Sequence, residues 1–236
     1  MINSIKTLLI LSLLLLGSCS TTPYTSNSRV PKVIDIKCEK LIQRNYIETC
    51  FSYIHQQGKW SFYKLKFSKL THTLKRNGHF KKDPLLTVNP AEEDYKYSGY
   101  DKGHLANSKD FSFNLQAMQD TFYLSNIAPQ DRFQNQRGVW KKLEDKIRKD
   151  SEANDREYYI LAGTKLNEVH LQKIKSNSLI SIPKYFFKFI MWLSPNGHYE
   201  LKAYKIPNSE TTDTDPAHFE VSPKALEEEL EISIAL

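Results

Sequence analysis

The segment 98–144 constrains what this chain can fold into more than any other part, because it combines four polar side chains with a helical pattern. In order, it contains Ser-Gly-Tyr-Asp-Lys-Gly-His, then Tyr-Leu-Ser-Asn-Ile-Ala-Pro-Gln, then Asn-Gln-Arg-Gly-Val-Trp-Lys-Lys-Leu-Glu. Trp140, Leu143 and Ile147 follow the i, i+3, i+7 spacing of one helix face, with charged residues at other positions. We therefore expect a loop-and-strand segment that runs into a helix over 140–149.

Aromatic-rich segments on both sides of this block predict β-strands. Two of them flank Gln-Gln-Gly-Lys and two flank Pro-Asn-Gly, which predicts a hairpin at each place. Ser222 and Pro223 have the N-cap and first-turn identities of a short terminal helix. Strands that mostly pair with sequence neighbours, together with few helices, indicate an α+β class with a largely antiparallel sheet. The expected strands are 46–54, 60–67, 158–161, 185–193 and 199–206.

The polar residues of the block supply the parts needed to hydrolyse a phosphodiester. His104 can accept a proton, since neutral imidazole dominates above its ordinary pKa of ~6.5. Asn135 offers an amide oxygen to a hard cation such as Mg²⁺, with Mn²⁺ or another divalent cation as alternatives. Glu144 can accept hydrogen bonds from waters on the same ion. The sequence therefore predicts a histidine base beside one metal ion.

Together these motifs resemble the active-site region of the DNA/RNA non-specific endonucleases, a ββα-metal family with Serratia-type and endonuclease G-type members. The similarity extends from about Tyr46 to Leu230 and includes Phe80-Lys-Lys-Asp-Pro-Leu-Leu and a Tyr-Lys-Ile-Pro-Asn stretch that ends at Asn208. The resemblance implies a ββα-metal active-site motif and metal-dependent cleavage of DNA and RNA, single- or double-stranded. It also implies little sequence preference and 5′-phosphate products.

The resemblance also implies a role for each polar residue of the block. His104 would be the general base, Asn135 would bind the metal directly, and Glu144 would bind it through water. Asn126 matches the family's second asparagine and is expected to orient the site. Asp101 is expected to hold the motif loop.

Lys102 stands where the family has an arginine, and a lysine cannot make the bidentate phosphate contact of a guanidinium. If the family's arginine stabilises the transition state, this chain should be slower unless Arg137 or Arg76 compensates. The expected catalytic set is His104, Glu144, Asn126, Lys102 and Arg137, and the expected substrate-binding set is Arg76, Lys102 and Arg137.

The spacing of the block departs from the family as well. Glu144 follows Asn135 by nine positions, whereas the family has eight. We expect the additional residue at 136–139, where a widened helix start could absorb it. Otherwise Glu144 would rotate by about 100° around the helix axis, and Gln136 would be the alternative ligand.

The first residues have the features of a secretion signal. Lys6 precedes an apolar run from Leu8 to Leu16, which is too short to span a bilayer. Leu-Gly-Ser-Cys then resembles the bacterial lipoprotein box, in which the cysteine, here Cys19, is lipidated; an ordinary signal peptide is the alternative. By resemblance to enterobacterial lipoprotein sorting, Ser20 rather than an aspartate after the cysteine favours the outer membrane of the cell envelope. We thus expect export, with a signal peptide at 1–18, a lipid anchor and tether at 19–35, and one nuclease domain at 36–236.

Two further cysteines, Cys38 and Cys50, are expected to form a disulfide in an oxidising compartment, with a metal pair or free thiols as alternatives. The basic segment 59–82 is either a solvated face or a phosphate contact. The aromatic segment 185–192 is expected in the core rather than as a base-stacking surface.

The formal net charge of +6 suits a polyanionic partner without identifying it. No protein partner is predicted. Two functional alternatives to a nuclease remain. One is an envelope lipoprotein that binds nucleic acid without cutting it, and the other is a phosphatase or phosphodiesterase for small substrates.

Overall fold

The structure, a computed structural model, describes residues 30–166 and 171–236. The strands are β1 (Lys32–Ile34), β2 (Lys40–Gln43), β3 (Ile47–Ser52), β4 (Gln57–Leu65), β5 (Tyr100–His104), β6 (Ile127–Asp131), β7 (Tyr158–Thr164), β8 (Tyr185–Leu193), β9 (Tyr199–Pro207), β10 (Glu220–Val221) and β11 (Ser233–Ala235). The α-helices are α1 (Leu115–Asp120), α2 (Arg132–Gln136), α3 (Val139–Ala153) and α4 (Pro223–Leu230). Short 3₁₀ helices cover Glu92–Tyr95, Ser108–Phe111, Leu124–Asn126 and Pro216–Phe219.

An antiparallel sheet dominates the part of the chain that the structure describes. Its strand order is β10-β9-β8-β7-β4-β3-β2, and all neighbouring strands in it run antiparallel. Two separate antiparallel pairs, β1–β11 and β5–β6, accompany it. The predicted α+β class with a largely antiparallel sheet is confirmed.

The first predicted hairpin forms, but its turn lies earlier than the sequence indicated. The chain turns before Gln57, so that Gln57, Gly58 and Lys59 belong to β4. Gln57 pairs with Ser52 and Gly58 with Phe51, and a register shift between Cys50 and Phe51 separates these pairs from the rest of the ladder. With this irregular register, the pairing of β3 with β4 continues into the Gln-Gly-Lys stretch that the sequence indicated as part of the turn.

The large sheet is buried on both faces. The helix α3 packs Trp140, Leu143 and Ile147 against one face, together with residues of β4, β7 and β8. The helix α4 contributes Leu226 and Leu230 to the opposite face, beside the β1–β11 pair. Because side chains alternate along a strand, β8 contributes aromatic residues to the cores on both faces. The aromatic segment 185–192 therefore lies in the core, as predicted.

The terminal strand pair brings residues 32–34 into the folded structure, although this range falls within the expected tether at 19–35. The structure joins Cys38 and Cys50 by a disulfide, with a Cα–Cα distance of 5.8 Å. The expected signal peptide and the lipidation site Cys19 lie outside the described residues. Among the described residues, no helix is both long enough and apolar enough to cross a bilayer.

Candidate active site

The β5–β6 hairpin and the helices after it form a ββα arrangement that carries the polar block. His104 at the end of β5 pairs with Ile127 at the start of β6, and Asp101 pairs with Gln130. Between them, a Cβ atom at Gly103 would lie 2.4 Å from Gln130 Oε1, which is closer than real Cβ contacts come. Glycine is therefore required for the close packing that sets the position of His104.

Asn126 lies beneath the hairpin and is 2% exposed. Its Oδ1 accepts hydrogen bonds from Ala106 N (2.9 Å) and Ser61 Oγ (2.8 Å). Its Nδ2 donates to Ala106 O (3.0 Å) and Thr121 O (2.8 Å). Because these bonds tie β4 to the segment that follows His104, Asn126 can orient the site but cannot reach a substrate.

The imidazole of His104 is enclosed by aromatic rings. Its centroid lies 5.3 Å from that of Phe80 and 5.0 Å from that of Phe122. Burial, together with the charge of the nearby Arg76, lowers the pKa of His104 to about 3. Within the part of the chain that the structure describes, its Nε2 is buried without a hydrogen-bond partner. The ring is thus neutral at physiological pH, which is the form that can accept a proton.

Asn135 lies in α2, whose first turn is capped by the carboxylate of Asp131. Its Nδ2 donates to Asp101 Oδ2 (3.0 Å), and Gln136 Nε2 donates to the same oxygen (2.9 Å). The Asp101 carboxylate therefore fixes the Asn135 amide by its nitrogen and leaves its carbonyl oxygen as the atom that could bind a metal. These two hydrogen bonds fit the structural role expected for Asp101.

The additional residue between Asn135 and Glu144 is accommodated at a break between α2 and α3. Both Arg137 N (2.9 Å) and Gly138 N (2.6 Å) donate to Phe133 O. The second bond spans five residues, as in a π-type turn, and therefore takes up one residue more than a regular helical turn. The widened turn lies inside the range 136–139 that the spacing predicts, and Glu144 still lines the site.

Glu144 is 4% exposed and its carboxylate is held from two sides. Asn107 Nδ2 donates to its Oε2 (2.6 Å), and Lys188 Nζ lies 3.5 Å from its Oε1. Lys188 is 1% exposed and its ammonium also lies 4.1 Å from the centroid of the Trp140 ring. Burial raises the pKa of Glu144, and the charges of Lys188 and Arg148 oppose that shift.

A second buried ion pair anchors α3 beside Glu144. Arg148 Nη1 donates to Asp110 Oδ1 (2.6 Å), and Tyr63 Oη donates to Asp110 Oδ2 (2.7 Å). Arg148 Nη2 also donates to Asp145 Oδ1 (2.7 Å). These bonds connect α3 to β4 and to the 3₁₀ helix at Ser108–Phe111, so they hold the helix that carries Glu144 in place.

Several of these polar residues were not predicted from the sequence, although two of them have a recognisable pattern there. Arg148 follows Glu144 by four positions and so shares its helix face. Lys188 is the one charged residue in an otherwise apolar strand, and a buried lysine requires an anionic partner. No pattern in the sequence marked Asn107 or Asp110.

His104, Asn135, Glu144 and Arg76 line one cleft of about 560 Å³, which lies in the range of roughly 300–1,000 Å³ typical of ligand sites. We call it the active-site cleft. The described residues that also line it include Phe67, His72, Asn107, Lys109, Gln136, Trp140, Lys141 and Arg148.

Lys102 and Arg137, two of the three residues predicted to bind substrate, do not line the active-site cleft. Lys102 Nζ forms an ion pair with Glu92 Oε1 (2.6 Å) and lies 4.5 Å from the centroid of the Phe80 ring. Arg137 stacks on Phe133 at 5.4 Å, where the widened turn exposes it. Of the expected phosphate contacts, Arg76 is therefore the one that the structure places in the cleft.

The donor set of the cleft suits a hard cation. Asn135 offers an amide oxygen and Glu144 a carboxylate that can bind metal-bound waters, which matches the oxygen preference and sparse protein ligation of Mg²⁺. Within residues 30–166 and 171–236, no group of three or more His, Cys, Asp or Glu side chains could hold a metal ion.

The chain is similar to known nucleases in sequence and in fold. The family model described as DNA/RNA non-specific endonuclease matches residues 29–234. Mitochondrial endonuclease G of Bos taurus is 35% identical over 147 residues, which cover 57% of this chain and 47% of the relative. The mitochondrial nuclease of Saccharomyces cerevisiae is 31% identical over 170 residues, which cover 65% of this chain and 52% of the relative. The chain spans about half the length of the curated relatives it matches.

Among solved structures, a chain of the EndoG/EndoGI complex, determined to explain EndoG inhibition, shares the fold with a TM-score of 0.70. It is 23% identical, and the match covers 82% of this chain and 84% of that one. Because the family model spans the hairpin, both helices and the sheet that together form the active-site cleft, this chain belongs to the DNA/RNA non-specific endonuclease family.

Proposed function

We propose that this chain hydrolyses the phosphodiester bonds of DNA and RNA, with His104 as general base and one divalent metal ion, most simply Mg²⁺. The observation that carries the proposal is the meeting of His104, Asn135 and Glu144 in one cleft beside Arg76. Family membership supports nucleic acid as the substrate class.

Each residue has a defined task in the proposed reaction. The neutral imidazole of His104 accepts a proton from the attacking water, whose oxygen forms a bond to phosphorus as the bond to the 3′-oxygen breaks. Arg76 pairs with a non-bridging phosphate oxygen. Asn135 would hold the metal ion through its amide oxygen, and Glu144 would accept hydrogen bonds from waters on that ion. An ion held there would supply positive charge against the charge that develops on the phosphate and the leaving oxygen.

The test compares plasmid DNA and RNA as substrates, in Mg²⁺ and in EDTA, for the wild type, for His104→Ala and for a control variant, His79→Ala. His79 is an exposed histidine that does not line the active-site cleft. We expect metal-dependent degradation of both polymers by the wild type and by His79→Ala, and degradation that is slower by about 10²–10⁴-fold in His104→Ala. Degradation that continues in EDTA, or that proceeds at the wild-type rate in His104→Ala, would contradict the proposed reaction.

The two alternatives give different outcomes in the same assay. A nucleic-acid-binding lipoprotein would shift the mobility of both polymers and leave them intact under every metal. An enzyme for small substrates would hydrolyse a bis-aryl phosphate faster than DNA. Because Lys102 does not line the active-site cleft, the lysine at this position is weak support for the first alternative.

We also propose that the protein is exported and lipid-anchored through Cys19 in the bacterial cell envelope, at the outer membrane. The apolar run and the Leu-Gly-Ser-Cys motif support this localisation, and the Cys38–Cys50 disulfide suits an oxidising compartment. Radiolabelled fatty acid should be incorporated by the wild type and not by Cys19→Ser. Equal labelling of the two proteins would refute the anchor.

A further inference from the structure

A second groove, which we call the aromatic groove, adjoins the active-site cleft. Tyr46, Lys64, Lys66, His72 and Phe113 line it, and its volume is about 850 Å³. His72 lines the cleft as well, so the two spaces meet at this ring. None of these residues has a task in the proposed hydrolysis.

A continuous series of rings leads from the cleft into the groove. The Phe67 ring, which also lines the cleft, lies 4.2 Å from His72, centroid to centroid. His72 lies 5.4 Å from Phe113, which lies 5.3 Å from Tyr46. These rings come from the loop before β3, the connection after β4 and the segment after Ser108–Phe111, so the fold brings together aromatic residues that are remote in sequence.

The groove presents these rings in a fixed arrangement to solvent. Tyr46 is 45% exposed and Phe113 is 38% exposed, although aromatic residues of this size are usually more buried. Both ring nitrogens of His72 are held, Nδ1 by Ser112 Oγ (3.0 Å) and Nε2 by Lys66 O (3.0 Å). A platform that is already ordered loses little conformational entropy when a planar ligand stacks on it.

The charges of the groove favour bases over phosphates as its occupant. Lys64 Nζ lies 3.1 Å from Glu157 Oε2, and Lys66 Nζ lies 3.5 Å from Asp155 Oδ1. Each lysine therefore has an acid beside it, and the groove is not a simple cationic track for a phosphate backbone. Exposed aromatic rings, in contrast, stack with any base, irrespective of sequence.

We propose that the aromatic groove binds unpaired bases of single-stranded DNA or RNA that flank the phosphate in the active-site cleft. The inference rests on the proposed function and deepens it, because it adds a binding site for the strand on one side of the reacting bond. Duplex bases are stacked on each other and cannot use such a platform, so the groove selects for single strands.

The test measures the affinity of fluorescein-labelled oligothymidylates of 2 and 12 nucleotides, and of a 12-base-pair duplex, by fluorescence anisotropy. All variants are made in the slowly cleaving His104→Ala background, in Mg²⁺. Tyr46→Leu and Phe113→Leu keep an apolar side chain and lose the ring, whereas Tyr46→Phe and Phe113→Tyr keep the ring. Circular dichroism checks that each variant is folded.

We expect each leucine variant to lose about fivefold in affinity for the single-stranded 12-mer, since base stacking on one aromatic ring contributes at least that factor. The ring-keeping variants should match the parent, and the duplex affinity should not change. Equal affinities of the leucine and ring-keeping variants, or equal losses of affinity for duplex and single strand, would refute the proposed binding of unpaired bases in the aromatic groove. A parent protein that binds no oligonucleotide would instead refute the proposed function, and the groove with it.

Discussion

Lys188 is the residue whose presence most needs a physical explanation, because burying an ammonium in an aromatic strand is costly. Its partner is Glu144, at 3.5 Å, and both side chains are almost fully buried. Removing one member of a buried pair leaves an uncompensated charge, whereas removing both can be nearly neutral. The pair therefore makes Glu144 available to the active-site cleft as a fixed carboxylate.

Lys188→Met is expected to lower the free energy of unfolding by about 3 kcal/mol, since Glu144 would remain buried without its cation. The double variant Lys188→Met/Glu144→Gln should recover most of that loss, because the buried charge is then gone. Urea unfolding of the wild type, both single variants and the double variant measures the coupling. Additive losses would show that the two residues do not interact.

His104 predicts a pH dependence of stability with a definite sign. Burial, aided by Arg76, lowers its pKa in the folded protein to about 3, whereas in the unfolded chain it stays near ~6.5. Between these values the unfolded chain binds the extra proton, so the stabilising contribution is present above pH ~6.5 and is lost as the pH falls. By pH 5 the loss from this group should reach about 2 kcal/mol.

The matched variant for this effect is His104→Asn, which cannot titrate. We expect the free energy of unfolding, measured in EDTA at pH 7.5 and pH 5, to fall more steeply for the wild type than for the variant. Parallel pH dependences would mean that His104 is protonated as readily in the folded protein as in the unfolded chain.

The widened turn at Arg137 and Gly138 links α2, which carries Asn135, to α3. Because the turn takes up one residue, deleting Arg137 should leave a regular turn and keep Glu144 in the cleft, with cleavage close to that of the wild type. Deleting Lys141, inside the regular part of α3, should rotate Glu144 by about 100° and remove most of the activity. Initial rates on plasmid DNA distinguish the two deletions, and equal losses would contradict this account of the turn.

Some elements could be predicted from the sequence, whereas the pairing of others could not. The periodicity of α3 and the aromatic hairpins predicted α3, β8 and β9 to within a few residues, because their patterns are local. The pairings of β1 with β11 and of β4 with β7 join remote segments, and no local pattern specifies them. The same limit applies to the site. The motif predicted His104 and Asn135, whereas no local pattern marked Asn107 or Asp110, which contact Glu144 and Arg148 from another segment.

At the scale of the whole molecule, the disulfide is remote from the chemistry. Cys38 and Cys50 pack with the core on the face opposite α3, near α4. The Cys38→Ser/Cys50→Ser variant should therefore lose ~2–3 kcal/mol of stability, as expected for a short closed loop in the chain-entropy model. Urea unfolding with and without reductant measures this loss, and a wild type that reductant does not destabilise would contradict it.

We propose that His104 performs the chemistry in a cleft that still binds nucleic acid when the imidazole is removed. The most direct measurement is the single-turnover cleavage rate of a labelled DNA strand, with its dissociation constant measured on the same preparations of wild type, His104→Ala and His79→Ala. We predict that the rate of His104→Ala falls by about 10²–10⁴-fold, as expected for loss of a general base, while its affinity and both values of His79→Ala match the wild type. A His104→Ala protein that cleaves at the wild-type rate would contradict the account.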